Sequence, residues 1–217
     1  MPRRTRSSRT AAGLRDTLLS AAAALIAKKG PQGFSLREVA RRAGVSEAAP
    51  YWHFVDREAL LAAVAEQGFL EMTRVMMATW SRVEDPRQRL RALGVDYVRF
   101  ALAHPAYLRV MFGSEVPDKA AHPSLKEAGD RTFALLVQAI VDCQRTRQVR
   151  AGPPEELAVA AWSIVHGLAE LIVDGRLKEH VRSTREATRL AQRVTHLFMV
   201  GLAPDRARAR KSNRGRV

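Results

Sequence analysis

Apolar residues recur at helical spacing along almost the whole chain. Leu14, Leu18, Ala22 and Leu25 make one stripe and predict a helix from about Gly13 to Lys29, ended by Gly30-Pro31. Ser35 with Glu38 three residues on is a capping box, and Phe34 is placed to staple against Val39, so a second helix starts at Leu36. Leu36, Val39, Ala40 and Ala43 form its apolar face. Gly44 stands where a helix ends in a left-handed residue, and Val45 reads as the buried residue of the turn. Ser46 reads as a second N-cap, starting a third helix at Glu47. Helix, short glycine turn and helix is the helix-turn-helix pattern, whose second helix enters the DNA major groove. Pro50, the fourth residue after that cap, removes a hydrogen bond to Ser46 and is expected to tighten or bend the third helix.

Six further helices follow. Asp56 caps a long one reaching about Trp80, with Leu60, Leu61, Val64, Gly68, Met72 and Val75 on one side. Asp85-Pro86 opens the next, which carries Leu90, Leu93, Tyr97 and Phe100 and stops before His104-Pro105. A short helix, Pro105 to Phe112, precedes a loop over 113–123. Another runs from about Ser124 to Arg147, with Phe133, Leu136, Val137 and Ile140 inward. From Glu155 to Asp174 the chain is apolar nearly all round, and such a helix needs cover on more than one side. One side is the domain's own core; a second subunit is expected on the other. In the last helix, Thr184 to Gly201, residues Ala187, Leu190, Val194, Leu197 and Gly201 follow a 3-4-3-4 rhythm, the narrow seam of a helix–helix interface. Two such helices per protomer predict a four-helix bundle across a two-fold axis, with Leu168, Ala187, Leu190, Val194, Leu197 and Phe198 in the homodimer interface. Period-two alternation bounded by turns is absent, so the fold class is all-α with nine helices.

Charge sharpens the picture. The formal net charge is +14. Residues 1–60 hold 11 Lys and Arg against 5 Asp and Glu, a net +6, and residues 203–217 hold 6 against 1, a net +5. The excess thus lies on the helix-turn-helix end and the tail, as attraction to phosphate requires, though a solubilising surface has the same composition. Hydrophobic content of 47% and charged content of 27% are those of a soluble globular protein. No apolar run approaches the ~20 residues of a membrane span. The start, MPRRTRSSRT, leads into an amphipathic helix rather than a signal-peptide core, which predicts a cytoplasmic protein. One cysteine, Cys143, excludes an internal disulfide and multi-thiolate metal sites, and reads as a small buried apolar residue.

The run FSLREVARRAGVSEAAPYWHFVDREALL resembles the DNA-binding head of TetR-type transcriptional regulators. The Gly44-Val45-Ser46 turn, Tyr51, His53-Phe54 and Asp56-Arg57-Glu58-Ala59-Leu60 fall at the family's positions. Ala161-Trp162-Ser163-Ile164-Val165-His166-Gly167 looks like the Trp-His-Gly signature of one C-terminal regulatory domain of that family. From the residues themselves, Glu47 can accept from a cytosine amino group or act as a helix-dipole partner, and the methyls of Ala48 and Ala49 can pack on thymine methyls. The resemblance implies that Tyr51 and the helix N-termini near Ser35 and Arg57 hold phosphates. Trp52 either reaches a groove wall or is half-buried. Arg37, Arg41 and Arg42 add phosphate contacts or form a solvated face. The predicted DNA-binding set is Ser35, Arg37, Ser46, Glu47, Ala48, Ala49, Tyr51, Trp52, His53 and Arg57.

Downstream, Tyr97, Phe100, Tyr107, Met111, Phe112, Trp162 and His166 form a set of aromatic and polarizable residues. They fit an apolar ligand cavity with few polar groups, or else an ordinary core. Trp162 and His166, four apart, share a helix face. Gly167 and Gly175 are expected to permit close helix packing. No nucleophile, phosphate-loop or metal-ligand motif is present; carboxylates in the apolar helices, such as Glu170, do not pair; no metal or cofactor is expected. The predicted organisation is a disordered basic arm (1–10), a helix-turn-helix domain (11–57), a ligand-binding and dimerisation domain (58–202) and a disordered basic tail (203–217). The expected function is a homodimeric repressor released from a palindromic double-stranded operator by a small-molecule effector. A general DNA-coating protein and an all-α enzyme with a vestigial head are the alternatives.

Overall fold

The computed structural model describes residues 6–116 and 121–203, with side chains from residue 13 onward. The described elements are α1 (Arg6–Lys29), α2 (Leu36–Ala43), a 3-10 turn (Ala49–Trp52), α3 (Arg57–Arg82), α4 (Pro86–Ala103), α5 (Pro105–Phe112), α6 (Pro123–Arg145), α7 (Pro154–Val173) and α8 (Thr184–Gly201). All nine expected elements are there, eight as α-helices. The third is the exception: the chain from Glu47 makes only turns and the short 3-10 segment.

Pro50 is the physical reason. It has no N–H to give the Ser46 carbonyl, so Ala49 N–H takes that carbonyl at 3.0 Å, one residue early. Ser46 therefore supports the turn through its backbone carbonyl, and its expected role as a side-chain N-cap is corrected: the cap position of the 3-10 segment is Ala48, without a side-chain bond. The first helix also differs. It begins at Arg6, inside the expected disordered arm of residues 1–10, because no breaker separates Arg6 from the helix-favouring Ala11-Ala12 pair. Residues 1–5 and the tail beyond 203 lie outside the described residues.

Two compact units divide the chain. The first comprises residues 1–71 with 104–129, the second residues 72–103 with 130–217. This replaces the expected boundary at 57/58. The first part of α3, together with α5, groups with the head because α5 packs against α1, and because Gly68 of α3 lies where a Cβ would meet the Met111 side chain of α5 at 2.6 Å. In the first unit Leu18, Ala22, Ile26, Val39, Phe54 and Leu60 form the head core. The Ser35–Glu38 capping box forms in both directions, and Gly44 ends α2 at φ 71°. That carboxylate also accepts from Lys29 Nζ at 2.6 Å. The Lys29 bond, then the Ser35 backbone bond, hold the Glu38 carboxyl below the usual range.

In the second unit α4 packs against α7 and α8, and α7 against α8. Gly94 of α4 makes the crossing possible: a Cβ there would stand 2.8 Å from Thr195 Cγ2 and 3.2 Å from Val165 Cγ1. Cys143 is fully buried, and burial pushes its thiol up to about 11, as an apolar role requires. Among the described helices α7 alone is, by length and composition, apolar enough to cross a membrane, which corrects the expectation that no run reaches that length. Its Leu157, Ala158, Ala161, Val165, Leu168 and Ala169 are buried within the unit, while Val159, Ile164 and Leu171 are exposed.

Candidate DNA-binding face and effector site

The 3-10 geometry rearranges the expected groove-reading residues. At three residues per turn, positions i and i+3 eclipse, so Ala48 stands over Tyr51 and Ala49 over Trp52. Pro50 is buried and pins the segment from within. Its neighbours turn outward: Tyr51 is 55% exposed, Trp52 84% and Val55 82%. Trp52 thus takes the outward of its two expected placements. Val55 was missed, although three consecutive non-core positions around a buried Phe54 were the available signal. Ser35 and the arginines Arg37, Arg41 and Arg42 are also exposed. This face can offer aromatic and apolar groups to base edges and sugars, with cationic donors for phosphates beside them.

Several of the expected DNA-binding residues have partners inside the head. The Ser35 hydroxyl accepts from Glu38 N–H at 3.3 Å. Glu47 lies 3.6 Å from Arg37 in an exposed ion pair, so the two expected contacts of opposite sign neutralise one another. Half-buried His53 sets its ring 6.2 Å from Phe54. Arg57 donates to the Pro31 carbonyl and stacks over Phe34 at 5.3 Å. Its guanidinium ties the start of α3 to the loop before α2, which corrects the picture of Arg57 as a side chain free to reach phosphate.

The seven expected ligand residues separate into two groups. Tyr107, Met111 and Phe112 belong to the first unit. There Met111 is fully buried, Phe112 meets Phe69 edge-on at 5.6 Å, and Tyr107 stacks on His104 at 5.5 Å. Tyr97, Phe100, Trp162 and His166 belong to the second, with Phe100 buried in its core. Tyr97 Oη lies 2.8 Å from His166 Nδ1, and Trp162 Nε1 donates to the same oxygen at 3.4 Å. Burial raises the Tyr97 phenol above its ordinary value and lowers His166 below its own, so a neutral phenol faces a neutral imidazole at pH 7. Phe133 of α6 packs on Trp162 at 6.3 Å.

Glu170 was read as unpaired, and here the structure differs: its Oε1 lies 4.0 Å from His166 Nε2. The signal was the four-residue spacing on one helix. Gly167 does not permit close packing within the protomer, since a Cβ there would meet nothing within 4 Å. Gly175 serves the turn after α7 with φ 70°.

Of the expected dimer residues, Leu168 and Ala187 are buried inside the protomer and cannot line a partner-facing surface. Leu190, Val194 and Phe198 are half-buried, and Leu197 is exposed. The buried stripe of α8 is instead Ala187, Ala191, Thr195 and Met199, a four-residue spacing displaced from the expected seam. The exposed apolar residues of the two helices are Val159, Ile164 and Leu171 on α7 and Leu197 and Val200 on α8.

Two family models match the chain. Residues 18–64 match the bacterial regulatory proteins of the tetR family, and residues 90–198 match the tetracyclin repressor-like C-terminal domain. Among curated proteins, the Escherichia coli tetracycline repressor protein class C is 29% identical over 136 residues, 56% of this chain and 59% of that one. An HTH-type transcriptional regulator of Mycobacterium tuberculosis is 31% identical over 91 residues, 42% of this chain and 45% of its own. The chain thus spans about half the length of these curated relatives. A solved structure from Rhodococcus sp. RHA1, of unknown function, is 37% identical with a TM-score of 0.76, covering 88% of this chain and 95% of that one. A tetR-family regulatory protein from Rhodococcus RHA1, at 18% identity and TM-score 0.70, covers 88% and 97% and shares the fold.

Proposed function

The chain belongs to the tetR family of bacterial regulatory proteins, and from that premise we propose that it is a cytoplasmic, homodimeric repressor. It holds a palindromic operator and releases it when a small molecule binds the second unit. The observation that carries the DNA-binding part is the outward set Tyr51, Trp52 and Val55, fixed by buried Pro50 and bordered by exposed arginines of α2. An isolated monomer gains nothing by exposing a tryptophan at 84%. Against a groove, the same ring desolvates sugar and base edges. Phosphate donors supply the sequence-independent part of the affinity, and the exposed aromatic and alanine groups supply discrimination.

Two protomers joined through the exposed apolar residues of α7 and α8 would present two heads. Two-fold symmetry then demands a palindrome, with half-sites one DNA turn, about 34–36 Å, apart. In the effector-bound state the head spacing no longer fits that interval. Release requires only that the effector bind this state more tightly than the DNA-bound one. Tyr97, Trp162 and His166 are the groups we assign to the effector. The relatives that match are regulators, and regulation without a catalytic step is the reading adopted.

The test uses the full-length protein and fragments of its own genome. Trp52→Ala removes an exposed side chain, so thermal unfolding should stay within about 0.5 kcal/mol of wild type. Affinity for the selected fragment should fall at least about ten-fold. An unchanged affinity for specific DNA would remove this face from the interface.

A further inference from the structure

The Tyr97–His166–Trp162 group has a polarity that selects one class of effector; this inference rests on the reading of the second unit as the effector domain. An indole nitrogen only donates, so the Trp162–Tyr97 contact at 3.4 Å directs its proton at the phenol oxygen. The phenol's own proton is then directed to His166 Nδ1, 2.8 Å away. With Nδ1 accepting, the neutral imidazole carries its proton on Nε2. The tautomer follows from the donor chain. That proton faces Glu170 Oε1 at 4.0 Å, a turn further along α7.

Four ångströms is too long for a hydrogen bond and short for two groups bridged by a third. An oxygen about 2.8 Å from each atom would subtend roughly a right angle, within the range a hydroxyl tolerates. Both residues retain some exposure, so the gap is open to an entering group.

We propose that this gap receives a neutral hydroxyl group, an alcohol or phenol, of an otherwise apolar effector. The rings of Trp162 and Phe133 lie at the same locus for the apolar body. The chemistry eliminates the other common polar groups. A carboxylate or phosphate accepts from Nε2–H but meets the Glu170 carboxylate, a like charge. An ammonium satisfies Glu170 but has no lone pair for the imidazole N–H. A ketone accepts from Nε2–H and leaves Glu170 unanswered. A hydroxyl accepts from the imidazole and donates to the carboxylate, and only it does both.

The experiment is a matched series titrated into the full-length protein by calorimetry at pH 7.5: 2-naphthol, naphthalene, 2-naphthoate and 2-naphthylmethylammonium. Trp162→Phe identifies binding at this locus, and Glu170→Gln neutralises the carboxylate. The expected result is 2-naphthol binding at least about ten-fold more tightly than each of the others, in line with a hydrogen bond to a charged group. In Glu170→Gln the naphthol-to-naphthoate ratio should fall about ten-fold with unchanged thermal unfolding. Two results overturn the hydroxyl preference while leaving an effector site in place. One is naphthoate or the ammonium matching naphthol, with binding still lost in Trp162→Phe; the other is a ratio unmoved by Glu170→Gln. If no probe binds, or Trp162→Phe changes nothing, both the preference and the assignment of the effector to this locus fall.

Discussion

Leu197→Glu separates the dimer from the protomer. Leu197 is 68% exposed in the protomer, so a charge there should alter protomer stability by less than about 0.5 kcal/mol. In a dimer built on α7 and α8 the consequence is different. Val159, Ile164, Leu171, Leu197 and Val200 are on average about half exposed, equivalent to two or three fully exposed side chains. Covering them contributes about 5 kcal/mol per protomer and about 10 kcal/mol per dimer, at ~2 kcal/mol for each side chain. The substitution removes about 1 kcal/mol of that burial from each protomer and places a carboxylate in the desolvated seam, at several kcal/mol if unpaired. Both copies carry it. A total near 6 kcal/mol weakens the dimer by about four orders of magnitude. Sedimentation velocity at micromolar protein should show monomers, while thermal unfolding of the variant shows a folded chain. Operator affinity should fall with the dimer. A folded Leu197→Glu protein that remains dimeric at the same concentrations would move the interface away from this face.

Three further outcomes follow from particular contacts. Arg57→Ala should cost the head ~1–2 kcal/mol through loss of the Pro31 and Phe34 contacts, measured by chemical unfolding. It should leave the salt dependence of DNA binding unchanged, whereas a slope lowered by about one would mean a direct phosphate contact. Gly94→Val should destabilise the second unit by ~1–3 kcal/mol, since Thr195 and Val165 already occupy the space of a Cβ; an unaltered melting temperature would contradict that packing. His166 is held below its ordinary value chiefly by burial, with Glu170 acting the other way. As pH falls through about 6.5 the unfolded chain takes up a proton that the folded state resists, so stability is lost on acidification. His166→Phe should lessen that loss, seen as a shallower fall of the unfolding free energy between pH 6.5 and 5; identical slopes would refute it.

The sequence carried element type and order because each signal was local. The Ser35–Glu38 box, Gly44, Asp85-Pro86 and Ser183-Thr184 act within one turn of their helices, and periodicity supplied the rest. The third element was misjudged in length, although Pro50 was recognised as a tightening residue: its consequence depended on burial, which a one-dimensional pattern does not contain. Arg57 illustrates the same limit at the site. Its place in the motif suggested phosphate, while its partner Pro31, distant in sequence, is visible only in space. On α8 the 3-4-3-4 rhythm and the four-residue stripe overlap at Ala187, and which one faced inward was settled by the fit of Thr195 against Gly94. Tyr97 and His166, on different helices, have no sequence signal for their 2.8 Å contact.

The central claim is sequence-specific operator recognition by a two-headed protein. Its most direct test is selection of DNA from a random duplex pool by the purified full-length protein at fixed salt, followed by sequencing and affinity measurement. The account predicts enrichment of one palindrome with half-site centres about 34–36 Å apart, bound at least about 10³-fold more tightly than unselected duplex. A pool that stays random, bound with a steep salt dependence and no preferred sequence, would contradict it and leave a general DNA-coating protein in its place.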